Sequence, residues 1–454
     1  MSASRDGWSG HIGFIMATAG SAVGLGSIWK FPYEVGSNGG SAFILFYLAG
    51  LVFIVVPLMF AEFAIGRRGG KDAITSIAKV AAAYGASRWW AGAGLLGIIT
   101  GVLVLSFYSV IGGWTIAFGL EIAFKGLAGS EPQAVQARFD ALLASPLRLA
   151  AFHAIFMAMA AAIVSRGVGG GIEAASRILM PVLVVLMVGL ACYSVAAGEA
   201  AAAFDFLFKL DLRYLTARTA LNALGLGFFS IGVGFALMVT YAAYAGHDVN
   251  LKQVAIASIV ADTAISFLAG FAVFPIVFAH GLDPASGPGL VFVTLPLAFA
   301  GMPFGSVAAG TFYVLLFVAA LASAISLLEL AVALLVHRLT WPRTAACAAA
   351  AGVCLMLGLA TVFSFNLWAG WHPLAALRGF GDSTIFDLLD YLTSNVLLPV
   401  CGFVLALFVG WALPSSLLIE ELSLGPAGAR ILHAVLRYIV PAGIAAAALV
   451  PLLR

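Results

Sequence analysis

Gly20-Ser-Ala-Val-Gly-Leu-Gly26 interrupts the first apolar run of the chain, and Ser230-Ile-Gly-Val-Gly-Phe235 interrupts the sixth. Each glycine weakens a helix by roughly 1 kcal/mol relative to alanine, so both stretches are expected to break. Inside a bilayer the freed backbone groups have no water to bond. A broken helix therefore persists only where it is buried in protein or lines a cavity. Two such breaks at corresponding places in two halves of a chain point to the substrate and ion site of a secondary transporter.

The sequence around the breaks is apolar. Of 454 residues, 63% are hydrophobic and 9% charged, against about 25% charged in a soluble globular protein. A crossing needs roughly 20 apolar residues. On that measure eleven crossings lie near 11–36, 41–66, 90–124, 147–165, 175–197, 218–245, 251–280, 305–338, 342–363, 383–412 and 431–452. The fold class is an all-α polytopic membrane protein of two inverted five-helix repeats, with helices 1 and 6 discontinuous, plus an eleventh helix. Residues 1–454 form a single transmembrane transporter domain, with repeat one at about 11–197, repeat two at about 218–412 and the extra helix at about 431–452. Residue similarity between the halves is weak, so the repeat rests on the position of the breaks. Gly287-Pro-Gly-Leu-Val-Phe-Val-Thr-Leu-Pro296 is apolar but interrupted by prolines, and is expected to be a re-entrant or capping loop on the outer side.

A formal net charge of +2 and the absence of a basic run give no support to a nucleic-acid partner; the partners implied are the lipid bilayer and a small substrate. Positive charge favours cytoplasmic loops. Arg67, Arg68, Lys71, Lys79, Arg88, Arg166, Arg177, Lys252, Arg338, Arg343, Arg430 and Arg437 fall on one side, against fewer on the other, including Lys125, Arg138, Arg148, Lys209, Arg213 and Arg218. This bias predicts a multi-pass protein of the inner (plasma) membrane with a cytoplasmic N-terminus and Arg454 outside. Residues 1–10 carry no separate apolar region with a cleavage site, so the first span is expected to be retained. Cys192, Cys347, Cys354 and Cys401 have no metal-ligand spacing and read as small core residues.

Beyond the two breaks, Trp8, Trp29-Lys-Phe-Pro32, Asn38-Gly-Gly-Ser-Ala-Phe43 and Glu62 complete an opening that resembles the neurotransmitter:sodium symporters. Phe228-Phe-Ser-Ile-Gly-Val-Gly-Phe235 with Thr240-Tyr241, Ala319-Ala-Leu-Ala-Ser-Ala-Ile-Ser326 and Phe386-Asp-Leu-Leu-Asp-Tyr391 extend the resemblance over essentially the whole chain. Eleven spans rather than twelve are similar to the bacterial amino-acid branch. The resemblance implies a carrier that couples an amino acid to Na+, one or two ions, by alternating access.

By the same resemblance the substrate carboxylate meets the amides of Leu25 and Gly26 and the hydroxyl of Tyr108. An exposed helix N-terminus, with its N–H groups and positive dipole end, suits an anion. Monoamine carriers of the family have an acidic residue where this chain has Gly24, so the substrate is expected to bring its own carboxylate. The side-chain pocket implied is Val104, Phe229, Gly232, Phe235, Ser323 and Leu327, with Ser21 nearby. Phe229 would be its lid, and two phenylalanines suit a bulky apolar side chain such as tryptophan or tyrosine. Ala236 stands where amino-acid carriers commonly have glycine.

One sodium site implied by position is Ala22, Ser27, Ser230 and Asp262, completed by the substrate carboxylate. A second is Gly20, Val23, Ala319 and Ser323. The family usually has asparagine at position 27 and a further side-chain oxygen where Ala322 stands. Asp262 lies inside an apolar span, where a charge is costly unless compensated. Tyr47, Ser230 and Ser266 resemble chloride ligands, but Leu226 replaces the usual glutamine, so chloride independence is expected with Asp262 supplying the negative charge. Glu62 is expected to hold the unwound backbone of the first helix, and Glu329 to belong to the inner gate. The outer gate implied is Lys30 with Asp390, a lysine where the family has arginine. The inner gate is Arg5, Trp8 and Tyr244, its usual acidic partner replaced by His337, with Asp6 or Glu329 as substitutes.

Rival readings are weaker on these residues. A channel would need a polar ring or filter. An enzyme would need a catalytic cluster, and the seven histidines are scattered. The remaining alternatives are a proton-coupled or single-sodium carrier, motivated by Ser27, Ala322 and Asp262, and a non-transporting amino-acid receptor on the same fold.

Overall fold

The computed structural model describes residues 7–126, 132–285, 290–377 and 379–449, most of them helical. The first half runs α1 (His11–Ala22), α2 (Gly26–Ser37), α3 (Ser41–Gly69), α4 (Ala73–Ala83), α5 (Arg88–Lys125), α6 (Pro132–Leu143), α7 (Pro146–Val164), α8 (Val168–Ala197) and α9 (Ala200–Phe208). The second runs α10 (Ala217–Ile231), α11 (Leu237–Ala243), α12 (Leu251–Ala279), α13 (Leu290–Ala300), α14 (Gly305–Leu339), α15 (Arg343–Ser364), α16 (Ile385–Ala412), α17 (Ser416–Leu422) and α18 (Pro426–Leu449).

Among the described residues nine helices are long and apolar enough to cross a membrane, and α1 with α2, bent by 47°, make a tenth. The expected sixth span, 218–245, is two short helices, α10 and α11, with residues 232–236 between them. The eleven expected crossings are thus nine continuous helices and two broken ones. Gly232 and Gly234 adopt φ of 76° and 88°, conformations open to glycine, and Ala236 is held at φ 58°.

Burial sorts the helices. In the apolar windows of α14 and α5, 89% and 72% of residues are buried, against 22% for α18 and 33% for α7 and α8. The first two therefore form the interior wall against which both broken helices pack. The others present side chains such as Ile155, Ile178 and Val185 outward, which lipid tails accommodate as readily as protein does. Backbone proximity helps: a Cβ on Gly101 of α5 would come within 2.5 Å of Leu330 on α14.

Two expectations change in detail. The segment anticipated as a capping loop is helical from Leu290, in α13, with residues 286–289 outside the described part. Phe292 explains its position, lying 5.4 Å from the Trp114 ring and 5.6 Å from that of Phe139. All four cysteines are free, but Cys192 is exposed on α8 while the other three are buried.

Candidate substrate and ion site

The two breaks meet at the centre of the molecule. A Cβ on Gly26 would lie 3.0 Å from the Cα of Ser230, so α2 and α10 touch backbone to backbone. A narrow cavity of about 20 Å³ opens beside this contact, lined by Ser21, Gly26, Val104, Tyr108, Phe229, Ser230, Gly232, Phe235, Ser323 and Leu327. These are all the anticipated substrate residues except Leu25. Its amide instead donates to the Tyr108 hydroxyl at 3.0 Å. Ala22, Gly24 and Leu237 complete the lining and were not anticipated as such.

Gly24 has no room for a side chain. A Cβ there would collide with the Ser323 hydroxyl and lie 2.8 Å from that of Tyr108. Ser323 donates to the carbonyl of Ser21 at 3.1 Å, while the buried Ser21 hydroxyl has no partner. The cavity therefore has a polar end, made of the first break and two hydroxyls. Its other end is apolar, built from Val104, Phe235 and Leu327.

Beside the polar end lies Asp262 of α12, fully buried. Ser27 and Ser230 both donate to its Oδ1, the latter at 2.8 Å, and Tyr47 donates to Oδ2 at 3.2 Å. The Ser27 and Ser230 hydroxyls are 3.0 Å apart. Five side-chain oxygens from four helices thus converge, with Ala22 lining the adjacent cavity. A hard cation favours such an oxygen cluster. The second anticipated set is poorer: Gly20, Val23 and Ala319 are buried, Ser323 is the one hydroxyl, and Ala322 adds none.

Glu62 requires a correction. Its Oε1 accepts from the amide of Gly234 at 2.8 Å, so it braces the second break rather than the first. Both breaks expose amides, and sequence position could not tell which one α3 would face.

The cavity is closed on two sides. On one face Lys30 of α2 donates to both oxygens of Asp390 on α16, at 2.7 and 3.0 Å, and to Ser394 at 3.1 Å. Its Nζ also lies 4.8 Å over the Phe229 ring, a cation–π contact. On the opposite face the Trp8 indole donates to the carbonyl of Tyr241 at 2.8 Å and stacks 5.3 Å from Phe14. The Tyr244 hydroxyl donates to Glu329 at 2.8 Å, and Glu329 pairs with Arg343 at 2.5 Å. The His337 ring is 6.2 Å from that of Tyr244. Arg5 and Asp6 lie outside the described residues.

Arg343 was not anticipated here, nor was Glu173. The Glu173 carboxylate, at the start of α8, accepts from the Ser9 amide at 2.8 Å and from the Ser9 hydroxyl, and pairs with Arg177 at 2.7 Å. Nothing local in the sequence signals a contact that spans 164 positions.

A profile of the sodium:neurotransmitter symporter family matches residues 5–130 and 146–425. An uncharacterised sodium-dependent transporter of Bacillus subtilis (strain 168) is 35% identical over 449 residues, 96% of this chain and 95% of that protein. One of Haemophilus influenzae is 30% identical over 416 residues, 90% of each. Among solved structures, MhsT in complex with L-phenylalanine aligns with a TM-score of 0.90 and 37% identity, covering 98% of this chain and 99% of that one. Extensive identity, one shared architecture and a helix-break cavity agree, and the chain belongs to the sodium:neurotransmitter symporter family of multi-pass membrane carriers.

Proposed function

We propose that this carrier takes up a bulky hydrophobic, most plausibly aromatic, L-amino acid together with sodium and without chloride. The single observation that carries the reading is the cavity's division into a polar end at the first break and an apolar end. The Tyr108 hydroxyl, which accepts from the Leu25 amide, keeps its proton to donate to a carboxylate, and Val104, Phe235 and Leu327 offer a surface for a ring. The crowding at Gly24 leaves no place for the carboxylate that a bare amine would require. The L-phenylalanine held in the MhsT structure is an amino acid of this class.

Sodium would sit among Ala22, Ser27, Ser230 and Asp262, closed by the substrate carboxylate, so that neither ligand binds well alone. Asp262 supplies the fixed negative charge that makes chloride unnecessary. A second sodium among Gly20, Val23, Ala319 and Ser323 would be weaker, for lack of an oxygen at Ala322. Lys30 with Asp390 and Trp8 with Tyr244 form the outer and inner closures of an alternating-access cycle. The Trp8 face is cytoplasmic, in keeping with the loop charges.

A second reading, proton coupling, is favoured by the three hydroxyls that surround Asp262 without a basic group. Uptake of labelled tryptophan, tyrosine and leucine into proteoliposomes separates the two. Accumulation driven by a sodium gradient and indifferent to chloride removal is expected. Accumulation driven only by protons would move Asp262 from ion ligand to proton carrier. Saturable binding without flux would favour a receptor.

A further inference from the structure

Arg437 of α18 lies away from the substrate cavity, in a setting that the transport reading does not use. Its guanidinium carbon is 4.2 Å from the Trp411 ring and 5.5 Å from the Tyr438 ring. Both aromatic residues are more than half exposed, on the outside of the bundle. The Trp411 indole donates to the Arg437 carbonyl at 3.0 Å, and Gly410 lets the two helices approach so closely that a Cβ there would lie 2.6 Å from the Arg437 Cα. The shelf is therefore built, with Trp411 fixed by a bond and the helices in backbone contact.

The cation on it is uncompensated. Among the described residues no carboxylate lies within salt-bridge distance of Arg437, whereas nearby Arg67 and Arg68 pair with Glu420 and Glu421. The Arg437 Nε is buried without an acceptor. Arg430, exposed and likewise without a carboxylate, lies seven residues earlier, two turns along the same side of α18.

The level in the membrane follows from connectivity. Trp411 is next to the last residue of α16, and α17, which follows, is tied through Glu421 to Arg67. Arg67 in turn donates to the carbonyl of Val249, five residues beyond Tyr244. The cluster thus lies at the end of α16 on the Trp8 face, where a bilayer places its headgroups. Tryptophan, tyrosine and arginine concentrate at that level, and an unpaired arginine there attracts anionic lipid.

We propose that Trp411, Arg437 and Tyr438 form a site for the phosphate of an anionic phospholipid headgroup. The guanidinium takes the phosphate by charge-assisted hydrogen bonds, Arg430 adds attraction, and the two rings cover the glycerol and upper acyl region. The lipid would staple α18 to α16.

Native mass spectrometry of the purified full-length chain with phosphatidylglycerol or phosphatidylcholine of equal chain length tests this. Phosphatidylglycerol is expected to bind roughly tenfold more tightly, because the phosphate of phosphatidylcholine is already offset by its own choline cation. Arg437→Gln should bring it down to the phosphatidylcholine level, and Trp411→Leu should weaken it without abolishing the preference. Circular dichroism melting verifies that each variant is folded, so that a misfolded Arg437→Gln leaves Trp411→Leu to decide. Equal binding of the two lipids, a preference unchanged in folded Arg437→Gln, or an undiminished phosphatidylglycerol affinity in folded Trp411→Leu would overturn the proposal. Displacement of phosphatidylglycerol by millimolar inorganic phosphate would also overturn it, in favour of a soluble anion.

Discussion

Tyr108 and Gly24 set the chemistry of the polar end at the scale of single atoms. Removing the Tyr108 hydroxyl takes away the proposed donor to the substrate carboxylate, a hydrogen bond to a charged group that is worth about 1.5–3 kcal/mol. Tyr108→Phe should therefore weaken phenylalanine binding on the order of 10- to 100-fold by titration calorimetry. Gly24→Asp, which forces a side chain against Ser323 and Tyr108, should abolish binding of phenylalanine without creating a site for phenethylamine. Ala236 makes the opposite kind of statement. A left-handed alanine costs roughly 1 kcal/mol over glycine, so Ala236→Gly should raise the melting temperature by a degree or more in a thermal scan. Ser21, Gly26, Phe229, Ser230, Gly232 and Phe235 are legible because they lie in or beside the glycine breaks, whereas Val104, Tyr108, Ser323 and Leu327, on other helices, rest on the resemblance to the symporter family. Glu62 could not be read, since choosing between two breaks with equal demand for a carboxylate requires knowing which one α3 packs against.

The elements were legible in proportion to their length. Nine of the eleven expected crossings are single apolar helices among the described residues and a tenth is the bent pair α1 and α2, whereas α4, α6, α9 and α17 went unnoticed and α13 was expected only as a re-entrant or capping loop. Each is short and lies between spans, where the hydropathy signal is diluted by polar neighbours and helix length is set by what the segment covers. Phe292 of α13 illustrates this: its buried ring, not its local sequence, fixes the helix. Glu173 is likewise an element-scale device, since it fastens the segment before α1 to the first turn of α8. Glu173→Gln keeps the shape but gives up the negative charge facing Arg177. In a background otherwise free of cysteine, Ser21→Cys should then be alkylated several-fold faster from the Trp8 face. An unchanged rate would show that Trp8 alone closes that side.

At the scale of the whole molecule, the cavity walls come from α1, α2, α5, α10, α11 and α14, so a bound substrate ties both halves together. Ligand at 100 times its dissociation constant adds about 2.7 kcal/mol to stability. Phenylalanine should raise the unfolding temperature in sodium buffer and leave it unchanged in potassium buffer. Equal shifts in both would separate substrate binding from the ion. The double engagement of Lys30 has a consequence at this scale. One ammonium group holds Asp390 on α16 and also rests over Phe229, the ring that covers the cavity. In the proposed cycle, withdrawing it would unfasten the latch and uncover the cargo in a single movement. In an engineer's terms such a device is an interlock rather than two bolts in series: release toward that face would be governed by one rate constant, and a half-opened intermediate would have nothing to hold it.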